Sequence, residues 1–126
     1  MIYGIGTDII EVARMEKHLK NSNGLKEKLF TETEQAYAEP KASRYQHYAA
    51  RFAAKEAFFK ALGTGYRFGM AFHEIEVIND DLGKPVITVH GKVKEYLNQM
   101  GEVHIHLSIS HVKEMANAFV ILEKQV

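Results

Sequence analysis

Three ionisable side chains stand out by their settings. Asp8 lies in Ile2-Tyr3-Gly4-Ile5-Gly6-Thr7-Asp8-Ile9-Ile10, which otherwise reads as a buried apolar β-strand. An ionised carboxylate there is costly unless it is paired, hydrogen-bonded or bound to a metal. Glu56 and Lys60 stand four residues apart in Arg51-Phe52-Ala53-Ala54-Lys55-Glu56-Ala57-Phe58-Phe59-Lys60. On a helix they share one face, with Phe52 and Phe59 near it and Phe58 on a neighbouring one. If that helix crosses the first strand, Asp8 and Glu56 converge. Two carboxylates beside open space are hard oxygen ligands for magnesium, which keeps several waters and is completed by substrate phosphates. Lys60, one turn on, then reaches a phosphate oxygen. Gly4 and Gly6 share the strand face of Asp8 and leave room for a ligand or for close backbone approach. Plainer readings stand beside these. Asp8 could cap a helix starting near Ile9 or Ile10. Glu56 and Lys60 could be a surface pair at the core edge, worth about a few tenths of a kcal/mol.

Histidine offers a rival chemistry. His104 and His106 sit on one strand face with His111 close behind, a spacing that could hold zinc. No acidic partner is evident beside them, and alternating polar residues more often mark a solvated face. Ser108 and Ser110 near His111 invite a serine-nucleophile reading, but no nucleophile elbow surrounds them.

The elements that must position these groups can be read from pattern. Val12 to about Lys20 has Val12, Met15 and Leu19 at helical spacing, and Asn21-Ser22-Asn23-Gly24 ends it. Thr31 and Glu34 form a capping box that opens a short helix stopped before Pro40. Ala42 to Leu62 is the longest predicted helix, with Gly63 as its C′ residue. A glycine-rich loop, Gly63 to Gly69, follows. Phe72–Ile78 and Pro85–His90 read as a strand pair, Val93–Met100 as an amphipathic helix, and Glu102–Ser110 and Ala116–Glu123 as further strands. Strand pairs adjacent in sequence imply an α+β fold: an antiparallel sheet packed against one long helix and shorter ones.

At 126 residues the chain is expected to form one domain, 1–126, with a real core. It has no cysteine, which excludes disulfides, a thiolate nucleophile and cysteine zinc sites. No apolar run approaches the roughly 20 residues that span a bilayer, and no leader pattern opens the chain. A cytoplasmic protein with no membrane partner is the expectation. With 16 basic and 16 acidic residues, bulk attraction to nucleic acid is not expected. Residues 41–60 nevertheless carry Lys41, Arg44, Arg51, Lys55 and Lys60 against Glu56 alone, a local excess suited to a small polyanion.

Three segments together resemble a known family. Gly6-Thr7-Asp8-Ile9-Ile10-Glu11-Val12-Ala13-Arg14 is similar to the N-terminal motif of the bacterial holo-acyl-carrier-protein synthases, within the 4′-phosphopantetheinyl transferase superfamily. Phe52 to Lys60 resembles that superfamily's W/F-x-x-K-E-A-x-x-K signature, and Leu107-Ser108-Ile109-Ser110-His111 its third motif. The order and spacing agree across essentially the whole chain. The resemblance implies transfer of the 4′-phosphopantetheine arm of coenzyme A to a serine of apo-acyl carrier protein, in support of fatty acid biosynthesis. It implies Asp8 and Glu56 as magnesium ligands and Lys60 as the cation for developing phosphoryl charge. Glu56 or a metal-bound water would be the general base. Arg51 and His111 match positions near the coenzyme A 3′-phosphate, and Lys55 serves either ligand or structure. Gly63 and Gly65 could lend backbone N–H groups to the ligand or simply end the helix. Arg14, Lys17 and Lys20 would steer the acidic carrier protein. A homotrimer with active sites shared between subunits is implied as well. The alternatives are a metal-dependent phosphohydrolase using the same carboxylates, or a non-catalytic nucleotide-binding module.

Overall fold

The computed structural model describes residues 1–125. Strand β1 (Ile2–Glu11) leads directly into helix α1 (Val12–Asn21), followed by α2 (Leu25–Leu29), α3 (Glu32–Ala38) and the long α4 (Arg44–Leu62). A 3₁₀ turn at Phe72–Glu74 precedes β2 (Ile75–Asn79) and β3 (Pro85–Val89). Helix α5 (Gly91–Gln99) then leads to β4 (Val103–His111) and β5 (Met115–Lys124). The strands form two antiparallel sheets, β1-β5-β4 and β2-β3. This is the expected α+β arrangement. Strand β5 runs through the middle of the larger sheet, so the first strand of the chain pairs with the last.

Alternation decides which face of that sheet meets α4. Ala116, Ala118, Val120 and Leu122 of β5 are buried beneath the helix, with Val103, Ile105, Leu107 and Ile109 of β4 packed alongside. From β1 the helix side receives Gly4, Gly6, Asp8 and Ile10. A Cβ at Gly4 would fall on the Ala61 carbonyl oxygen, and one at Gly6 on the Ala57 carbonyl oxygen. Of the two roles open to these glycines, close backbone approach is therefore the one they serve. Ala53, Ala57 and Ala61 are buried on the helix side of this contact.

The opposite face of β1 corrects the expectation of a fully buried strand. Tyr3, Ile5 and Ile9 point outward and are exposed, Ile9 by 65 %, because the helix covers one side of the sheet only. Asp8 is on the covered side and caps nothing: β1 continues to Glu11, and α1 begins at Val12.

Two local features differ from the sequence pattern. Helix α2 is five residues long, too short for a periodic signal. Phe72–Glu74, expected as strand, turns instead because the Glu74 carboxylate accepts from the Ala71 N–H at 2.8 Å and from the Lys92 N–H at 2.8 Å.

Candidate active site

Strand β1 and helix α4 bring Asp8 and Glu56 to the wall of one cleft of about 470 Å³. Arg14 and His18 of α1 stand at this cleft, and Phe52, Phe72 and Leu29 give it an apolar side. The Asp8 side chain is 18 % exposed, and its Oδ1 accepts from Lys60 Nζ at 3.1 Å. Lys60 also donates to the Thr7 carbonyl at 2.9 Å and remains 54 % exposed. Lys60 is thus the direct answer to the partly buried charge of Asp8 in the ligand-free chain. Burial, then the nearby Asp8 carboxylate, push the Glu56 carboxyl above its ordinary value, with Lys60 opposing. The cleft therefore holds two acids in mutual repulsion, with Lys60 paired to one of them and Arg14 on the facing wall.

Lys55, next to Glu56 in sequence, points about 100° away around the helix, into the core. It is fully buried and donates to Glu34 Oε1 at 2.8 Å, to the Ile75 carbonyl at 2.6 Å and to the Phe72 carbonyl at 3.1 Å. Burial draws its ammonium below the usual lysine range and Glu34 draws it back. Lys55 therefore serves structure. Its partner Glu34 was visible in the sequence only as a capping residue. It does close the capping box, accepting from the Thr31 N–H at 2.9 Å while Thr31 Oγ1 accepts from the Glu34 N–H at 3.2 Å. Its Oε2 also accepts from the Val77 N–H at 2.9 Å, so one carboxylate ties α3, α4 and β2 together. The signal that could have exposed this second role is the lone Lys55 on an alanine-rich, buried face.

Arg51 and His111 meet in a different cleft, of about 190 Å³, with Tyr37, His47, Asn79 and Pro85. Arg51 is 4 % exposed, and its Nε is buried without a hydrogen-bond partner. On α4, Arg51 and Glu56 are about 140° apart around the axis, so the two clefts open on different sides of the helix. The basic excess of residues 41–60 is accordingly no single patch: Lys55 is internal, Arg51 lines one cleft and Lys60 pairs with Asp8 at the other.

Gly63 ends α4 with φ +83°, and its N–H is taken by the Phe59 and Lys60 carbonyls at 3.0 and 3.2 Å. It has no N–H left for a ligand, which corrects that expectation. Gly65 follows in the same loop at φ +65°, its carbonyl accepting from Thr64 Oγ1 at 2.9 Å. Arg14, Lys17 and Lys20 are all exposed on α1, but Lys20 is tied to Glu16 at 2.9 Å.

The histidines do not gather into a zinc cage. His104 and His106 point outward on β4, whereas His111 turns to the helix side, its Nδ1 3.0 Å from Gln46 Oε1. Acids absent from the local sequence reading are present in space. His106 Nε2 is 2.9 Å from Glu123 on β5, and His104 Nε2 is 3.6 Å from Glu102. Ser108 and Ser110 share the outward face, away from the Gln46-bound His111.

The model of the 4′-phosphopantetheinyl transferase superfamily matches residues 4–120. The chain belongs to this superfamily. It is 47 % identical over 125 residues to a holo-[acyl-carrier-protein] synthase of Geobacter sp. (strain M21), covering 98 % of this chain and all of the relative. A holo-(acyl-carrier-protein) synthase from Bacillus anthracis, solved in complex with CoA (3′,5′-ADP), superposes with TM-score 0.83 at 45 % identity, over 99 % of both chains. The Neisseria meningitidis holo-[acyl-carrier-protein] synthase gives TM-score 0.89 at 36 % identity, covering 98 % of this chain and all of that one. Within the superfamily, this chain is thus a synthase-type member over its length, and the Asp8–Glu56 cleft lies inside the matched region.

Proposed function

We propose that this chain moves the 4′-phosphopantetheine arm of coenzyme A onto a serine of apo-acyl carrier protein, releasing adenosine 3′,5′-bisphosphate. The observation that carries the reading is the convergence of Asp8 and Glu56 on one cleft, with Lys60 paired to Asp8, in a chain that matches synthases nearly end to end. That match disfavours a hydrolase built on the same carboxylates. The product carrier would serve fatty acid biosynthesis.

The reaction forms a bond from the serine Oγ to the β-phosphorus and breaks the bond from that phosphorus to the bridging oxygen. The serine proton leaves to a base, and the bisphosphate departs with the bridging oxygen. Charge builds on phosphoryl oxygens, so alignment and cations carry catalysis. Asp8 and Glu56 would hold a magnesium ion, because they are two hard oxygen donors on one cleft, close enough that the Asp8 charge raises the Glu56 carboxyl. Bound there, magnesium would supply Lewis-acid stabilisation to the pyrophosphate oxygens. Lys60, exposed at the rim, stabilises the developing phosphoryl charge. Glu56, with its raised proton affinity, is suited to take the serine proton.

Arg51 and His111 would hold the 3′-phosphate end of coenzyme A, with the unpartnered Arg51 Nε as one waiting donor. Because this cleft and the carboxylate cleft open on different sides of α4, one coenzyme A does not readily span both within one copy. A neighbouring copy bringing its Arg51 and His111 to the first copy's Asp8 and Glu56 removes the difficulty. The outward apolar face of the large sheet, with Ile5, Ile9 and Phe119 exposed, supports a homotrimer assembled on that surface. Gly65 remains a candidate ligand contact. Arg14 and Lys17, exposed beside the carboxylate cleft, would steer the acidic carrier protein, and Lys20 less so because Glu16 already pairs with it. No helix among the described residues is long and apolar enough to cross a membrane, and a cytoplasmic setting suits both substrates.

The test is mass spectrometry of apo-acyl carrier protein incubated with this protein, coenzyme A and magnesium. A phosphopantetheine-sized mass gain that disappears with a chelator is the expected result; a folded carrier that gains no mass overturns the reading. Arg14→Glu should weaken carrier binding far more than coenzyme A binding, measured by titration against each. Equal loss of both would remove α1 from the carrier site.

A further inference from the structure

The smaller cleft is unusual in its charge. Its wall includes two imidazoles, a guanidinium and a phenol, and no carboxylate. His47 meets the Tyr37 ring edge-on at 5.4 Å and the His111 ring at 5.3 Å. The Arg51 guanidinium lies 4.4 Å from the centre of the Tyr37 ring, and the Lys41 ammonium 4.0 Å from the same ring. From α3 comes Tyr37, from the α3–α4 connection Lys41, from α4 His47 and Arg51, and from β4 His111. The acid that acts on this group is Glu34, which reaches Arg51 from the core side.

Burial, with His111, Arg51 and Lys41 around it, draws the His47 imidazole down to about 4. His47 is therefore neutral in the ligand-free protein at ordinary pH, held so first by burial and then by the same neighbours that would attract an anion. A dianionic phosphate entering the cleft reverses the local field and favours the imidazolium. We propose that His47 is a proton-coupled contact for a phosphomonoester: the anion binds in this cleft together with one proton, taken from solvent onto the His47 ring. The inference deepens the reading that this cleft receives the 3′-phosphate of coenzyme A, and rests on it. Affinity for that phosphate should then rise as pH falls from neutrality, with His47 as the source of the dependence.

Isothermal titration at pH ~6 in two buffers of different ionisation enthalpy reads the proton directly. Coenzyme A should bind wild-type protein with net proton uptake, and dephospho-coenzyme A with much less. His47→Phe keeps the ring packing and should bind coenzyme A with the uptake reduced or lost. Proton NMR of the wild-type protein avoids any folding question in the variant. The His47 ring should titrate near about 4 when free and at ~6 or above with coenzyme A bound. Uptake that is absent in wild type, unchanged in His47→Phe, or equal for the two ligands overturns the proposal. Failure of coenzyme A to bind at all would instead defeat the functional reading, and the proposal with it. Binding and transfer without a His47-linked proton defeat the proposal alone.

Discussion

Lys60 and Glu56 put opposite demands on the carboxylate cleft. Lys60 neutralises Asp8, while Glu56 keeps a raised proton affinity with Asp8 close by. An acid whose folded value is raised contributes stability below its unfolded value, and that contribution is lost as pH rises through the folded value. At neutral pH the ionised Glu56 is thus a cost to the metal-free protein. Glu56→Gln should raise its melting temperature at pH 7 while lowering kcat by about 10²-fold or more, as for loss of a positioned general base. Magnesium should raise the melting temperature of wild type and not of the variant, read by thermal melts with and without chelator. His47 runs the other way. A base whose folded value is drawn down to about 4 makes stability fall as pH drops from ~6.5 towards that value. His47→Phe should flatten that part of an acid-denaturation series. At this scale the sequence exposed Asp8, because a carboxylate among aliphatics is conspicuous. It did not expose Lys60 as the partner in the resting chain, since a contact between strand and helix across 52 positions has no local pattern.

Among the elements, α4 and β1 carry the site, and two glycines set their spacing. Gly6→Ala would push its Cβ into the Ala57 carbonyl, one residue from Glu56. The expected cost is about 1–3 kcal/mol or more for overpacking against rigid backbone, with kcat falling as Glu56 moves away from Asp8. Urea melts and steady-state kinetics on the same variant check both halves. The second tie is the buried Lys55–Glu34 pair. Lys55→Met should destabilise by about 3–5 kcal/mol because it strands a buried carboxylate, and adding Glu34→Gln should recover part of the loss. The long helix, its glycine stop and the clean alternation of β4 were legible, since each has a strong period or a conformational requirement. Helix α2 was not, because five residues show no period. The turn at Phe72–Glu74 looked like strand because its direction is set by Glu74 reaching two backbone N–H groups, one of them at Lys92. The double duty of Glu34 was hidden likewise, its partners lying 21 and 43 positions away.

For the molecule as a whole, the covered and uncovered faces of the large sheet differ in what they ask for. One is filled by α4. The other leaves Ile9 at 65 % and Phe119 at 42 % exposure on paired strands. On the proposed assembly, Ile9→Asp should shift the mass measured by light scattering from trimer to monomer and abolish transfer, while the monomer stays folded by circular dichroism. A monomeric wild type would remove the shared-site arrangement. The placement of β5 between β1 and β4 has a separate consequence. The Met1 amino group donates to the Lys124 carbonyl at 2.8 Å, and the Lys124 N–H returns a bond to the Met1 carbonyl at 2.8 Å. With Met1 and Lys124 held side by side, the first and last strands can be joined by a short linker and the chain reopened elsewhere. A circular permutant cut between Asn23 and Gly24, in the turn linking α1 and α2, should recover the native circular dichroism spectrum, because every strand pairing survives the rewiring.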